Sequence, residues 1–234
     1  MYRITACLFA IAFAATPVRA AEAIVAVASN FLTTAERLAS AFEAETDHSA
    51  TLVHGSTGRL YAQIRAGAPF DLFLAADQER PTLLSDDGRA ARQATYAIGQ
   101  LVVVTRDAPD LTAALTGRRF AMADPEVAPY GAAARAALID LGVSEDLAVY
   151  GDSVGQAASL FVTGNTEAAF LAASQVPDLP DKTVVFAVDA TATGLAQDMV
   201  LIAPDNAAAV AFYDFLLSPQ GQQIIVDAGY EAPK

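Results

Sequence analysis

Cysteine is nearly absent. The chain of 234 residues has one, Cys7, within its first twenty positions. With those positions read as a leader, the remainder has no disulfide, no thiol nucleophile and no Cys-based metal site. Histidine is almost as scarce. His48 and His54 are too few and too isolated to build a metal cluster or a proton relay. Positive charge is also in short supply: 14 Lys and Arg face 27 Asp and Glu, a formal net charge of −13. That balance argues against nucleic acid and anionic membranes as partners. No apolar run is long enough for a permanent membrane helix. There is no internal repeat and no low-complexity linker.

Residues 1–20 read as a signal peptide. Arg3 supplies the positive start, 6–15 the short apolar run, and Val18-Arg19-Ala20 the small residues of a cleavage site. Cys7 is not placed for a lipid anchor. The expected product starts at Ala21 and is exported, which with the lack of cysteine suits a bacterial periplasm. Loss of Arg3 and Arg19 leaves 12 basic against 27 acidic residues, a net charge of −15. About 200 residues suffice for one large or two small α/β domains.

What the chain does have is a repeated grammar: buried strand, small polar turn, helix. Residues 51–77 show it most clearly. Thr51-Leu52-Val53 opens a strand, Gly55-Ser56-Thr57-Gly58 turns, Leu60 and Ile64 mark an amphipathic helix stopped by Gly67-Ala68-Pro69, and residues 71–76 form a second strand. Upstream, residues 24–28 are apolar on both faces, as in a parallel sheet, and lead through Ser29-Asn30 into a helix over 33–45. Ser29 or Asn30 is the expected N-cap. Residues 96–105 read as one long apolar strand of the kind that crosses between lobes. Further strands are predicted at 120–123, 148–150, 168–172, 184–188 and 199–202. Helices are predicted from about 132 to 141, from the Gly151-Asp152-Ser153 turn to about 162, and over 207–217 and 220–227. The expected architecture is α/β with two lobes, each a mostly parallel sheet flanked by helices. Residues 21–103 plus 200–234 form lobe 1 and 104–199 form lobe 2, with the ligand in the cleft between them.

Catalytic machinery is hard to assemble. His54-Gly55-Ser56-Thr57-Gly58 puts His54 where a hydrolase elbow needs its first Gly. Gly55-Ser56-Thr57-Gly58 lacks the Lys of a phosphate-binding P-loop. Asp71, Asp77 and Asp198 read as turn-capping or structural acids. No nucleophile with its base and orienter emerges, so no catalytic residue and no resident cofactor or metal is assigned. The turns themselves remain. Ser29-Asn30, Gly55-Ser56-Thr57, Tyr130-Gly131 and Ser153-Val154 each stand where the chain enters a helix, two in each expected lobe. A helix N-terminus carries about half a positive charge, so four around one cleft supply roughly two without any Lys or Arg. That suits a dianion, although any α/β protein has such termini and most are capped by side chains or water.

The residues also resemble a family. Residues 25–31, Gly55-Ser56-Thr57-Gly58 with Tyr61-Ala62-Gln63-Ile64, and 67–77 look like the periplasmic molybdate-binding proteins of ABC importers. So do Tyr96-Ala97-Ile98-Gly99, Asp124-Pro125 with Pro129-Tyr130-Gly131, 212–216, and Ser218-Pro219 with Gly229-Tyr230. The resemblance implies a type II periplasmic binding protein that captures molybdate, and tungstate with it, for an inner-membrane permease. It implies a monomer. Its ligand positions fall on Ser29, Ser56, Tyr130 and Val154, with Asn30 a neighbouring backbone donor. The molybdenum is held as an oxyanion, not as a bare cation. Some members carry a tyrosine donor where this chain has Ala172, and here the Tyr130 phenol is expected to replace it. Three alternatives stay open: a receptor for sulfate or another tetrahedral oxyanion, a secreted serine hydrolase using Ser56 and His54, and a protein that only contacts partners.

Overall fold

The computed structural model describes residues 21–188 and 195–233. The expected signal peptide lies outside the described residues. The chain begins with β1 (Glu22–Ala28), a 3-10 turn over Ser29–Phe31 and α1 (Leu32–Glu45). Next come β2 (Ser49–Gly55), α2 (Thr57–Arg65), β3 (Leu72–Leu74), α3 (Glu79–Asp86) and β4 (Arg92–Ile98). The second half holds β5 (Leu101–Thr105), α4 (Leu111–Leu115), β6 (Phe120–Ala123), α5 (Pro129–Leu141), β7 (Ala148–Gly151), α6 (Val154–Val162), β8 (Ala168–Ala172) and β9 (Val184–Val188). It closes with β10 (Ala196–Leu201), α7 (Ala207–Leu217) and α8 (Pro219–Asp227).

These strands form two five-stranded sheets with matching order, β2-β1-β3-β10-β4 and β7-β6-β8-β5-β9. In each sheet four strands point one way and one runs against them. The reversed strands are β10 and β5. Each of these reversed strands has just arrived from the other sheet, so each lobe is sealed by a strand the other sends across.

The stretch 96–105, expected as one strand, is two. β4 ends in the first sheet and β5 starts in the second, with Gly99-Gln100 between them. Leu195 packs in the second lobe's core, while Ala196 already pairs with Ile98 of β4. Gly99 N–H donates to Leu195 O at 2.8 Å and ties the two crossings together. The sheets therefore change over at Gly99-Gln100 and just ahead of Ala196, whereas the expected boundaries at 103/104 and 199/200 fall inside β5 and β10.

The cores follow from strand alternation. On one face of the first sheet, Val25, Val27, Leu72 and Leu74 pack with Phe31, Leu38 and Phe42, and with Phe212 and Leu216 of α7. On the other face, Ala26, Phe73 and Val200 meet Leu60, Ile64 and Leu84 of α2 and α3. The second lobe buries Val103, Phe120, Met122 and Phe170 with Ala134, Leu138 and Phe161 from its helices. Both cores leave the carboxyl ends of β1, β2, β6 and β7 facing one cleft.

Candidate functional site

Ser29 follows directly on β1. It does not cap α1. Ser29, Asn30 and Phe31 form the 3-10 turn, Phe31 takes the N-cap position, and no side chain caps the helix. The reason is tertiary: the Asn30 side chain is drawn inward, donating to Gln197 Oε1 at 3.0 Å and to Tyr230 Oη at 3.1 Å. Asn30 O accepts from Tyr230 Oη at 2.7 Å and from Ser174 Oγ at 3.1 Å. The turn is held from behind, with both Nδ2 hydrogens of Asn30 used, so the donor it has left for a ligand is its backbone N–H.

Ser56 is the N-cap residue of α2, yet its side chain caps nothing. Its Oγ is buried without a hydrogen-bond partner among the described residues. Leaving a buried hydroxyl unpaired costs on the order of 1–3 kcal/mol, so this group calls for a ligand. Next to it, Thr57 Oγ1 is satisfied by Ala76 N–H at 3.1 Å.

The second lobe contributes two helix starts. The sequence pattern puts Tyr130 just ahead of a helix that starts at about 132. The helix instead begins at Pro129, the position where proline is pre-set for helix entry, which puts Tyr130 in its first turn. Its ring is buried, 2% exposed, and its Oη accepts from Gln197 Nε2 at 3.3 Å. Burial pushes the phenol well above the usual tyrosine range, Tyr230 adds to this, and the Gln197 and Asn30 amides oppose it. Val154 opens α6 behind a Ser153 N-cap that accepts from Gln156 N–H at 3.3 Å. Its own N–H, at the first helical position, has no intrahelical acceptor.

Ser29, Asn30, Ser56, Tyr130 and Val154 line one small, tight cavity between the lobes. Thr57 completes its polar wall, and among the described residues no charged side chain lines it. Ala172, the position left without a donor, is not among its lining residues. A wider cavity shares Ser29, Gly55 and Ser56 and reaches outward to His54, Arg59 and Asp152. The lobes are closed over the small one. Gly155 N–H donates to Ser29 Oγ at 3.4 Å, and Arg59 pairs with Asp152 at 2.8 Å across the mouth.

The other sequence candidates stand apart. His54 is exposed, and no imidazole reaches the Ser56 hydroxyl, so the hydrolase pair is not assembled. His48, half-buried, stacks on Phe42 and accepts from Ala21 N–H. Asp71 accepts from Ile24 N–H at 2.7 Å, and Asp77, one residue ahead of the α3 N-cap Gln78, accepts from Arg80 N–H at 3.1 Å. Burial raises the Asp77 carboxyl above its usual range, against the pull of Arg80. Asp198 lies inside β10 rather than ahead of it and accepts from Gln78, Gln93 and Thr95. Among the described residues no group of three or more His, Cys, Asp or Glu could hold a metal ion.

Residues 23–231 match the family described as bacterial extracellular solute-binding protein. This chain belongs to that family. The molybdate-binding protein ModA of Rhodobacter capsulatus is 38% identical over 228 residues, covering 92% of this solute-binding protein and 90% of its own length. The solved periplasmic molybdate-binding protein of Azotobacter vinelandii superposes with a TM-score of 0.83 at 32% identity, covering 91% of this chain and all of that one. The sulfate-binding protein SubI of Mycobacterium tuberculosis shares the fold, with a TM-score of 0.70 at 16% identity, covering 91% of this chain and 87% of its own.

From the sequence alone Gln197 and Gly155 carry no role, and Gly58 only that of a turn residue. Gln197 had a readable signal: a glutamine beside an aspartate at the head of an apolar strand. Gly58 donates its N–H to Val127 O and Gly155 its N–H to Ser29 Oγ, backbone contacts that side-chain chemistry does not advertise.

Proposed function

We propose that this solute-binding protein captures molybdate, and tungstate with it, and hands the oxyanion to an ABC permease. One observation carries the reading. Ser56 Oγ is buried, without a partner among the described residues and set in a cavity walled by neutral donors, in a chain 38% identical to a molybdate-binding protein. In this reading Ser29 and Ser56 donate through hydroxyls, Asn30, Ser56 and Val154 through backbone N–H groups, and Tyr130 through its phenol. Molybdenum is bound only through the oxygens of its anion, and no cofactor takes part.

The physical logic is charge matching without cations. A dianion leaving water loses strong hydration. N–H and O–H dipoles fixed at helix starts replace that hydration without reorganising. A Lys or Arg in the cavity would hold the anion more tightly but would slow its release to the permease. The lobes close on the ligand because the donors come from both. The protein does no chemistry on its guest and is not an enzyme. It works as a monomer in the periplasm, with residues 1–20 removed as its signal.

Sulfate is the second reading, since it too is a tetrahedral dianion and neutral donors cannot separate the two by charge. A calorimetric titration with molybdate in excess sulfate tests both. The reading expects molybdate affinity to survive a hundredfold excess of sulfate. Loss of the molybdate signal under that excess would make the protein a sulfate receptor.

A further inference from the structure

Gln197 is fully buried on β10. Its amide touches three side chains. Oε1 accepts from Asn30 Nδ2 at 3.0 Å and from Tyr96 Oη at 3.1 Å, a phenol whose proton is shared with Ala75 O at 2.9 Å, and Nε2 donates to Tyr130 Oη at 3.3 Å. Asn30 and Tyr96 belong to the first lobe and Tyr130 to the second, so one amide spans the junction. The fit is tight. A Cβ on Gly99 would stand 2.1 Å from Tyr130 Oη and 2.6 Å from Gln197 Nε2, so only glycine leaves room for this contact.

An amide can sit either way round, so its direction must be fixed by its neighbours. The fixed point is the Asn30 carbonyl, which can only accept. Tyr230 Oη lies 2.7 Å from it, which commits the Tyr230 proton there. Tyr230 oxygen must then accept from the Asn30 amide at 3.1 Å, so Asn30 presents Nδ2. The same Nδ2 faces Gln197, so Gln197 presents Oε1 to it and Nε2 to Tyr130. The Tyr130 oxygen is therefore an acceptor towards Gln197. A phenol has a single proton, and that of Tyr130 remains for the cavity the ring lines.

We propose that Gln197 is a positioning residue that makes Tyr130 a donor. A directed chain of hydrogen bonds, from the Asn30 carbonyl through Tyr230, the Asn30 amide and the Gln197 amide, points the Tyr130 O–H at the bound anion. The inference deepens the oxyanion reading and rests on it. It adds a role for a residue that touches no ligand and lies 167 residues from its partner Asn30.

The test measures molybdate dissociation constants for single and paired variants. In Gln197→Glu the carboxylate can only accept, so the Tyr130 proton turns towards it and the phenol shows lone pairs to the anion. Binding is expected to weaken at least a hundredfold. Added charge would also repel an anion, so the deciding variant is the neutral Gln197→Met. It is expected to weaken binding five- to twentyfold in the wild-type background and less than twofold in the Tyr130→Phe background. Tyr230→Phe, which frees the direction of the chain, is expected to follow the same pattern with a smaller loss. It carries the test should Gln197→Met not fold. Equal factors in both backgrounds would show that these residues only support the fold, and would overturn the proposal. Variants that bind as the wild type does would overturn it and leave the oxyanion reading standing. A wild type that binds neither molybdate nor sulfate would overturn the reading and the proposal together.

Discussion

Gly58 donates its backbone N–H to Val127 O across the cleft at 2.9 Å. The two backbones are so close that a Cβ on Gly58 would lie 2.8 Å from that oxygen and 3.1 Å from Val127 Cα. Gly58 sits in the first turn of α2, where alanine is the better helix former by up to about 1 kcal/mol. Gly58→Ala thus favours the lobe and opposes closure. Calorimetry is expected to show molybdate binding weakened at least tenfold, while thermal unfolding of the ligand-free protein is unchanged or slightly raised.

Ser56→Ala separates binding from stability in the same way. The hydroxyl has no partner to lose among the described residues, so its removal leaves the ligand-free protein as stable as before or more so. Towards the anion it loses a charge-assisted bond of about 1.5–3 kcal/mol. Molybdate affinity should fall by roughly tenfold to a hundredfold or more, read by titration alongside an unfolding curve. A fall in stability with unchanged affinity would make Ser56 a structural residue.

Tyr130→Phe is expected to cost a similar 1.5–3 kcal/mol in molybdate binding. The phenol also sets a pH dependence. Burial raises Tyr130, Tyr96 and Tyr230 above the ordinary tyrosine value, so the folded protein holds these protons where the unfolded chain releases them. That stability is fully present below about pH 10, where free tyrosine titrates, and is lost as pH rises above it. Molybdate affinity should be flat from pH 7 to pH 9, and unfolding temperature should drop above pH 10.

The ion pair between Arg59 and Asp152 closes the mouth at 2.8 Å, but both side chains are more than half exposed. Such pairs contribute about 0–1 kcal/mol. Arg59→Ala should change molybdate affinity less than fivefold, with the difference shrinking as salt is added. A larger, salt-insensitive loss measured by titration would place Arg59 in the binding machinery.

Much of the architecture was legible because buried strands announce themselves. Val25-Ala26-Val27 and Val102-Val103-Val104 are apolar on both faces, as strands covered on two sides must be. Helix entries were legible too, since small polar residues stand before Val154 and Thr57. Other features depended on distant contacts. Ser29 and Asn30 have the composition of N-caps, yet the Asn30 side chain is claimed by Gln197 and Tyr230, far along the chain. The long strand breaks at Gly99-Gln100 because the chain changes sheets there, and a Cβ at Gly99 would collide with the Tyr130 phenol. Pro129 is the signal that places Tyr130 inside a helix, since proline favours the first helical position, but the turn-forming residues around it mask that signal.

The account rests on one claim, that neutral donors from both lobes meet around a tetrahedral dianion. Crystals grown with molybdate and measured at the molybdenum absorption edge test it directly. The account predicts one anomalous peak in the cavity between Ser56 and Tyr130. The molybdate oxygens should lie within hydrogen-bond distance of Ser29, Asn30, Ser56, Tyr130 and Val154. A peak elsewhere, or an anion held by Arg59 or another charged side chain, would contradict it.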